Sequence, residues 1–86
     1  MLEYFVEFIG TFIFLSVIII TGDPLAIGLT LSAMAWLGGK ISGGNYNPAV
    51  NLIMLLNKKQ SLPKFIIYSI IQFSAAVCAF LFYKMI

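Results

Sequence analysis

The polar groups best placed to meet another molecule lie in one nine-residue stretch, Ser42 to Val50, with the sequence SGGNYNPAV. The flanking chain is almost continuously apolar. Asn47 is a favourable N-cap and Pro48 favours the first position of a helix, so a helix is predicted to begin here. The apolar run that follows, residues 49–56, is too short to cross a hydrocarbon core of about 30 Å. Irregular backbone at membrane depth is tolerated where protein buries it or where it lines a water-filled cavity. We therefore interpret this stretch as the candidate functional site.

Covalent chemistry is not predicted for this chain. It has no histidine, a single cysteine at Cys78, and only three acidic residues, Glu3, Glu7 and Asp23. No acid–base pair, nucleophile–base pair or metal cluster can be assembled from that set. We expect no enzymatic activity, no cofactor and no metal. The net charge of +2 comes without the clustered basic face of a nucleic-acid-binding protein, so no nucleic-acid partner is expected either.

The composition is that of an integral membrane protein, because 62% of the 86 residues are hydrophobic and 9% are charged. Three apolar segments are predicted to span the bilayer as helices, at about residues 4–21, 24–38 and 64–84. A re-entrant loop and half-helix are predicted at residues 41–56. The fold class is therefore an all-α membrane protein with three spans, one short helix and a lipid bilayer around them.

One carboxyl and one carboxamide side chain lie inside predicted spans, where they must find protein partners. Glu7 is one turn inside the first span, and an unpaired carboxylate there is costly. Gln72 lies in the middle of the last span and needs a hydrogen-bond partner. We expect both to face protein and not lipid.

The lysines predict the orientation in the membrane. Four of them, Lys40, Lys58, Lys59 and Lys64, fall on one side of the three-span layout, and Lys84 falls on the other. Because positive residues are enriched in cytoplasmic loops, the N-terminus is predicted to be cytoplasmic.

Three segments of the chain resemble a known family. They are EFIGTF from Glu7 to Phe12, ISGGNYNPAV from Ile41 to Val50, and the pair Tyr68 and Gln72. In this order and spacing they resemble the first half of an aquaporin, of the major intrinsic protein family of water and glycerol channels. The resemblance implies a half-aquaporin repeat of three transmembrane helices and one re-entrant half-helix. In the family a second, inverted repeat supplies another half-helix, and the two meet at the membrane centre.

The resemblance also implies roles for individual residues. Asn47 would offer its side-chain amide to a passing solute, and Glu7 and Gln72 would brace the loop from behind through hydrogen bonds to its backbone. The positive end of the half-helix dipole would disfavour protons and cations. The residues expected to line the pore are Gly43, Gly44, Asn45, Tyr46, Asn47, Pro48 and Ala49.

Some positions differ from the family pattern. Asn45 stands where the family often has histidine, and Val50 stands where the second repeat of the family has arginine. By alignment, Ile27, Gly44 and Val50 are the selectivity-filter candidates. A constriction lined by these three would be wider and less polar than a strict water filter, so small neutral solutes are expected to pass.

Three spans and a half-helix cannot enclose a pore, so a second half is required. It could be another copy of this chain in inverted orientation or a separate inverted half-channel chain. The unequal lysine distribution favours a separate half, because a protein that inserts both ways should have balanced flanks. Two alternatives stay open: a non-conducting structural or regulatory membrane subunit, and a fragment of a full-length channel.

Overall fold

The computed structural model describes residues 1–86 and consists of four α-helices without strands. They are α1 (Leu2–Thr21), α2 (Pro24–Ser42), α3 (Pro48–Leu56) and α4 (Leu62–Met85). The helices α1, α2 and α4 are long and apolar enough to cross a membrane, whereas α3 is not. The predicted fold class, an all-α membrane protein with three spanning helices and one shorter helix, is confirmed.

Three of the helices begin with the same local chemistry, a polar side chain followed by proline within the first two positions. The Asp23 carboxylate accepts hydrogen bonds from the first backbone N–H groups of α2. Asn47 Oδ1 accepts from the N–H of Ala49 at 2.8 Å, and Ser61 Oγ accepts from the N–H of Lys64 at 3.3 Å. Each cap satisfies N–H groups that have no partner within the helix.

The helix α2 continues to Ser42, four residues beyond the predicted end near Gly38. Its C-cap is Gly43, at φ +95°, whose N–H donates to Gly39 O at 3.0 Å. Gly38 lies inside the helix, and the Tyr46 hydroxyl occupies the place where a Cβ of residue 38 would lie, so the glycine at this position serves packing and does not end the helix. The irregular segment is therefore Gly43–Asn47 alone, which we call the loop.

The interior of this small bundle is polar and its exterior is apolar. The helix α1 packs against both α2 and α4, and α3 packs against α4. Large apolar side chains are exposed along every helix, which implies contact with the lipid bilayer. The buried polar residues are Glu7, Thr11, Ser16, Ser42, Asn45, Asn51 and Gln72.

The helix α3 starts at mid-depth and runs back towards the end where α1 begins. Its first residues share a cavity with Thr11 and Phe73, which lie near the middle of α1 and α4. After α3, a short turn leads to Lys64, whose ammonium pairs with Glu3 at 2.9 Å at the start of α1. Nine residues at 1.5 Å each extend about 14 Å, roughly half of a hydrocarbon core.

Candidate functional site

A buried carboxylate organises the loop. Glu7 is fully buried and accepts four hydrogen bonds. Two come from the loop backbone, the N–H of Asn45 at 3.1 Å and the N–H of Tyr46 at 2.9 Å. The others come from Ser42 Oγ at 2.6 Å and Gln72 Nε2 at 3.0 Å. Four donors thus satisfy the oxygens of a buried carboxyl group that has no cation beside it.

The backbone N–H groups of residues 43–46 in the loop are paired within the chain, whereas their carbonyl groups are not. The N–H of Gly43 donates to Gly39 O and the N–H of Gly44 donates to Ser42 Oγ at 3.1 Å. Together with the two bonds to Glu7, these bonds give the N–H groups of residues 43–46 a partner in the chain. The carbonyl oxygens of the same four residues, 43–46, accept no hydrogen bond within the chain. Because a backbone carbonyl is a strong acceptor that needs a partner, this row of four is available to molecules outside the chain.

Tyr46 holds the loop in an unusual conformation. Its φ is +56°, which is uncommon for a residue with a side chain. The ring is 2% exposed and lies against Gly10 and Gly38, where any larger residue would clash with it. Its hydroxyl donates to Met34 O at 2.7 Å. Packing between α1 and α2 thus compensates for the backbone strain, and Tyr46 meets the open side of the loop mainly through its backbone.

The N-terminus of α3 lies beside a cavity of about 190 Å³. Asn47 and Pro48 line it, together with Thr11, Gln72 and Phe73. Asn47 is exposed; its Oδ1 caps the helix and its Nδ2 has no partner in the chain, so the amide keeps its donors free. The hydroxyl of Thr11 is buried, also without a partner. Ala49, the third residue of the triplet, is exposed but does not line this cavity.

Gln72 acts differently from the prediction, because it makes no hydrogen bond to the loop backbone. Its Nε2 donates to Glu7 Oε1 at 3.0 Å, and its Oε1 accepts from Asn51 Nδ2 at 2.6 Å. It therefore joins α1 to α3, and reaches the loop only through Glu7.

Asn51 is a site residue that sequence reasoning missed. It is fully buried on α3 and bonds to Gln72, to Ser69 and to Asn45. Its position, four residues after Asn47 and hence on the same face of a helix, was the available signal. Gln60 was missed as well, and nothing in the local sequence distinguishes it.

Tyr68 of α4 is a further buried residue of the site and contacts the end of α2. It is 1% exposed, and its hydroxyl donates to Ser42 O at 2.7 Å, which joins α4 to the end of α2. The two residues belong to different segments of the aquaporin resemblance, and the fold brings them into contact.

The selectivity-filter candidates are not assembled by a single chain. Ile27, Gly44 and Val50 are half-buried and line none of the cavities of the isolated chain. Gly44, at φ +64°, packs on the backbone of α2 near Ala35 and Gly39. The filter role of these three residues stays a prediction.

Comparison with known proteins identifies the family. The sequence model of the major intrinsic protein family matches residues 1–86. A glycerol uptake facilitator protein-like 6 of Lactiplantibacillus plantarum is 42% identical over 88 residues, which cover 92% of this chain and 41% of that protein. Aquaporin PIP1-6 of Zea mays is 33% identical over 89 residues, covering 84% of this chain and 30% of the aquaporin. The chain thus spans less than half the length of these relatives.

No solved structure gives a significant match. The family match nevertheless extends over the whole chain, and the relatives that carry it are named as a facilitator and an aquaporin. The chain belongs to the major intrinsic protein family.

Proposed function

We propose that the protein is a membrane channel subunit for the passive transport of water and small neutral solutes such as glycerol. The pore is completed by a second, inverted half, either another copy of the chain or a separate polypeptide. The loop and the first residues of α3 form one wall of that pore.

The row of four free carbonyls, residues 43–46, is the observation that carries the proposal. Hydroxyl groups of water or a polyol can donate to these oxygens, and the free Nδ2 of Asn47 can donate to the oxygen of the same solute. A polar molecule that enters a narrow pore loses hydrogen bonds to water, and these groups of the wall would replace them. Because Glu7 accepts the N–H groups of Asn45 and Tyr46, the loop is held through its donors and its carbonyl oxygens stay free.

Neutral solutes fit this wall better than ions. The only buried carboxylate, Glu7, already accepts four hydrogen bonds and is fully buried, so it offers no site to a passing cation. The N-terminus of α3 adds the positive end of a helix dipole at mid-depth, which disfavours cations and protons.

The solute class is argued from the filter candidates and from a relative. Ile27, Gly44 and Val50 supply no charged side chain, so a constriction built from them would be less polar than a strict water filter. The relative from Lactiplantibacillus plantarum, 42% identical to this chain, is named as a glycerol uptake facilitator-like protein. Both observations support glycerol-sized polyols beside water.

The test is osmotic swelling of vesicles that contain the purified chain, in water and in glycerol gradients. Reconstitution inserts the protein in both orientations, so an inverted pair of copies can form whatever orientation the cell imposes. We expect water and glycerol permeability above that of empty vesicles. Asn47→Asp should reduce both, because the carboxylate removes the free N–H donors and places a charge at mid-depth.

Asn57→Asp is the matched control, since Asn57 is exposed in the turn after α3 and donates no side-chain hydrogen bond. It should leave both permeabilities unchanged. Permeability equal to that of empty vesicles would contradict a self-completed channel and favour the non-conducting subunit or a separate second half.

A further inference from the structure

We propose that Asn45, Asn51 and Gln60 are positioning residues, which tie the loop to the exposed turn between α3 and α4. With Gln72 they form a continuous row of side-chain amides that begins at the Glu7 carboxylate and ends near the membrane surface. We call this row the amide chain. Glu7 fixes the direction in which the hydrogen bonds of the amide chain run. Each amide can therefore place its oxygen and its nitrogen in only one way.

The orientation begins at Glu7, which accepts one hydrogen bond from Gln72 Nε2, while the same nitrogen also donates to Asn51 Oδ1 at 3.2 Å. Both Glu7 oxygens already accept a backbone N–H of the loop, so Gln72 directs its Nε2 towards Glu7 as a further donor, at 3.0 Å. Its Oε1 is then directed to α3 and accepts from Asn51 Nδ2 at 2.6 Å. The orientation of the Asn51 amide is then fixed as well, and its Nδ2 also donates to Ser69 Oγ at 3.1 Å.

The same logic extends to the loop. Asn51 Oδ1 can only accept, so Asn45 must present its Nδ2 there, at 2.8 Å. The second hydrogen of that nitrogen donates to Gln60 Oε1, also at 2.8 Å. A single loop side chain therefore bonds to α3 and to the turn at once.

The last member of the amide chain is its weakest. With Oε1 bound to Asn45, the Nε2 of Gln60 is buried and has no partner. Rotating the Gln60 amide would set its N–H groups against those of Asn45, so the unpaired donor follows from the orientation imposed at Glu7. An unpaired buried N–H is unfavourable, and the link from Gln60 to the loop should open before the others.

This link reaches the surface of the protein. The turn holds the exposed residues Lys58 and Lys59, and Lys58 has a positive φ of +59°. A change in the turn is transmitted to Asn45, whose backbone N–H is one of the two that Glu7 holds. Only the effect on permeability rests on the proposed function; the hydrogen bonding does not.

Two substitutions of Gln60 test the amide chain, with amide hydrogen exchange of the reconstituted protein as the measurement. Gln60→Met keeps the length of the side chain but removes the acceptor, so exchange at residues 43–46 should become about tenfold faster. Gln60→Glu keeps an acceptor for Asn45 and removes the unpaired donor, so exchange there should be no faster than in the wild type. Asn57→Ala, in the same turn, is the control and should change nothing.

Exchange in α1 and α4 should stay unchanged in all three variants, which separates positioning of the loop from a general loss of stability. Asn45→Asp should speed loop exchange more than Gln60→Met, because its carboxylate faces the Oδ1 of Asn51. The proposal is overturned if Gln60→Met leaves loop exchange unchanged or if Gln60→Glu behaves like Gln60→Met. These outcomes are independent of swelling, so failure of the channel proposal is recognised separately.

Discussion

At the scale of single residues, the site depends on a buried carboxylate whose partners are all hydrogen-bond donors. Glu7 has no cation within the site, and it receives two backbone and two side-chain donors instead. An amide at this position would turn two N–H hydrogens towards groups that themselves donate. Two acceptor oxygens at position 7 are therefore part of the loop structure.

Glu7→Gln should lower the free energy of unfolding by about 2–4 kcal/mol, because at least two buried donors lose their acceptor. Denaturant unfolding in detergent micelles measures this loss. Glu3→Gln is the control on the same helix, since the Glu3–Lys64 pair is partly exposed and should matter less. Equal losses for the two variants would contradict the organising role of Glu7.

The sequence predicted some of these residues and missed others for a physical reason. Glu7 and Gln72 stand out because they are polar inside apolar spans, so a partner had to exist. Asn51 and Gln60 do not stand out, since they lie in a short helix and a polar turn where amides are common. Their pairing with Asn45 is a tertiary contact, and no local pattern records it.

At the scale of elements, the loop depends on how closely α1 and α2 approach Tyr46. Gly10 on α1 and Gly38 on α2 each leave room for its ring. This is also why the end of α2 was predicted too early. Glycines favour helix ends on average, but here their role is packing, and the stop is provided by Gly43 in the left-handed conformation.

Gly10→Ala should destabilise the protein by about 1–3 kcal/mol, because the added methyl overlaps the Tyr46 ring and Tyr46 has no unstrained alternative. Gly28→Ala is the matched control: it lies in α2 with open space around it, so replacement should stabilise by up to about 1 kcal/mol. Thermal unfolding of the two variants gives the comparison. A neutral Gly10→Ala would mean that Tyr46 is not held by this groove.

Helix starts were easier to predict than helix ends. Asp23, Asn47 and Ser61 all carry caps in the structure, and each is followed by proline at one of the next two positions. Capping is a contact between neighbours in sequence, so the amino-acid order contains it. The path of α3, by contrast, follows from its packing on α4 and from the loop held by Glu7.

At the scale of the whole molecule, one chain would supply one wall of the proposed pore. Lys40, Lys58, Lys59 and Lys64 are distributed over the helix ends and turn near the start of α1, and Lys84 lies at the opposite end of α4. The positive-inside rule then predicts a cytoplasmic N-terminus and a C-terminus outside.

A reporter fused to the C-terminus should give a signal only from the non-cytoplasmic side. Replacing Lys58 and Lys59 by glutamine removes half of the lysines on the predicted cytoplasmic side and should produce signal from both sides. Signal from both sides in the unaltered chain would contradict the predicted orientation and would favour inverted pairing of identical copies.

The central claim is that the start of α3 lines a path for neutral solutes, and a thiol block of glycerol swelling tests it most directly. Cys78→Ser removes the exposed native thiol, and Ala49→Cys places a new one at the N-terminus of α3, where the helix dipole favours the reactive thiolate. The control is Leu29→Cys, which is exposed on α2 two residues from Ile27 and hence on the opposite face. We predict that a water-soluble mercurial abolishes swelling for Ala49→Cys and leaves Leu29→Cys unaffected. Equal inhibition of both variants, or of neither, would contradict the claim.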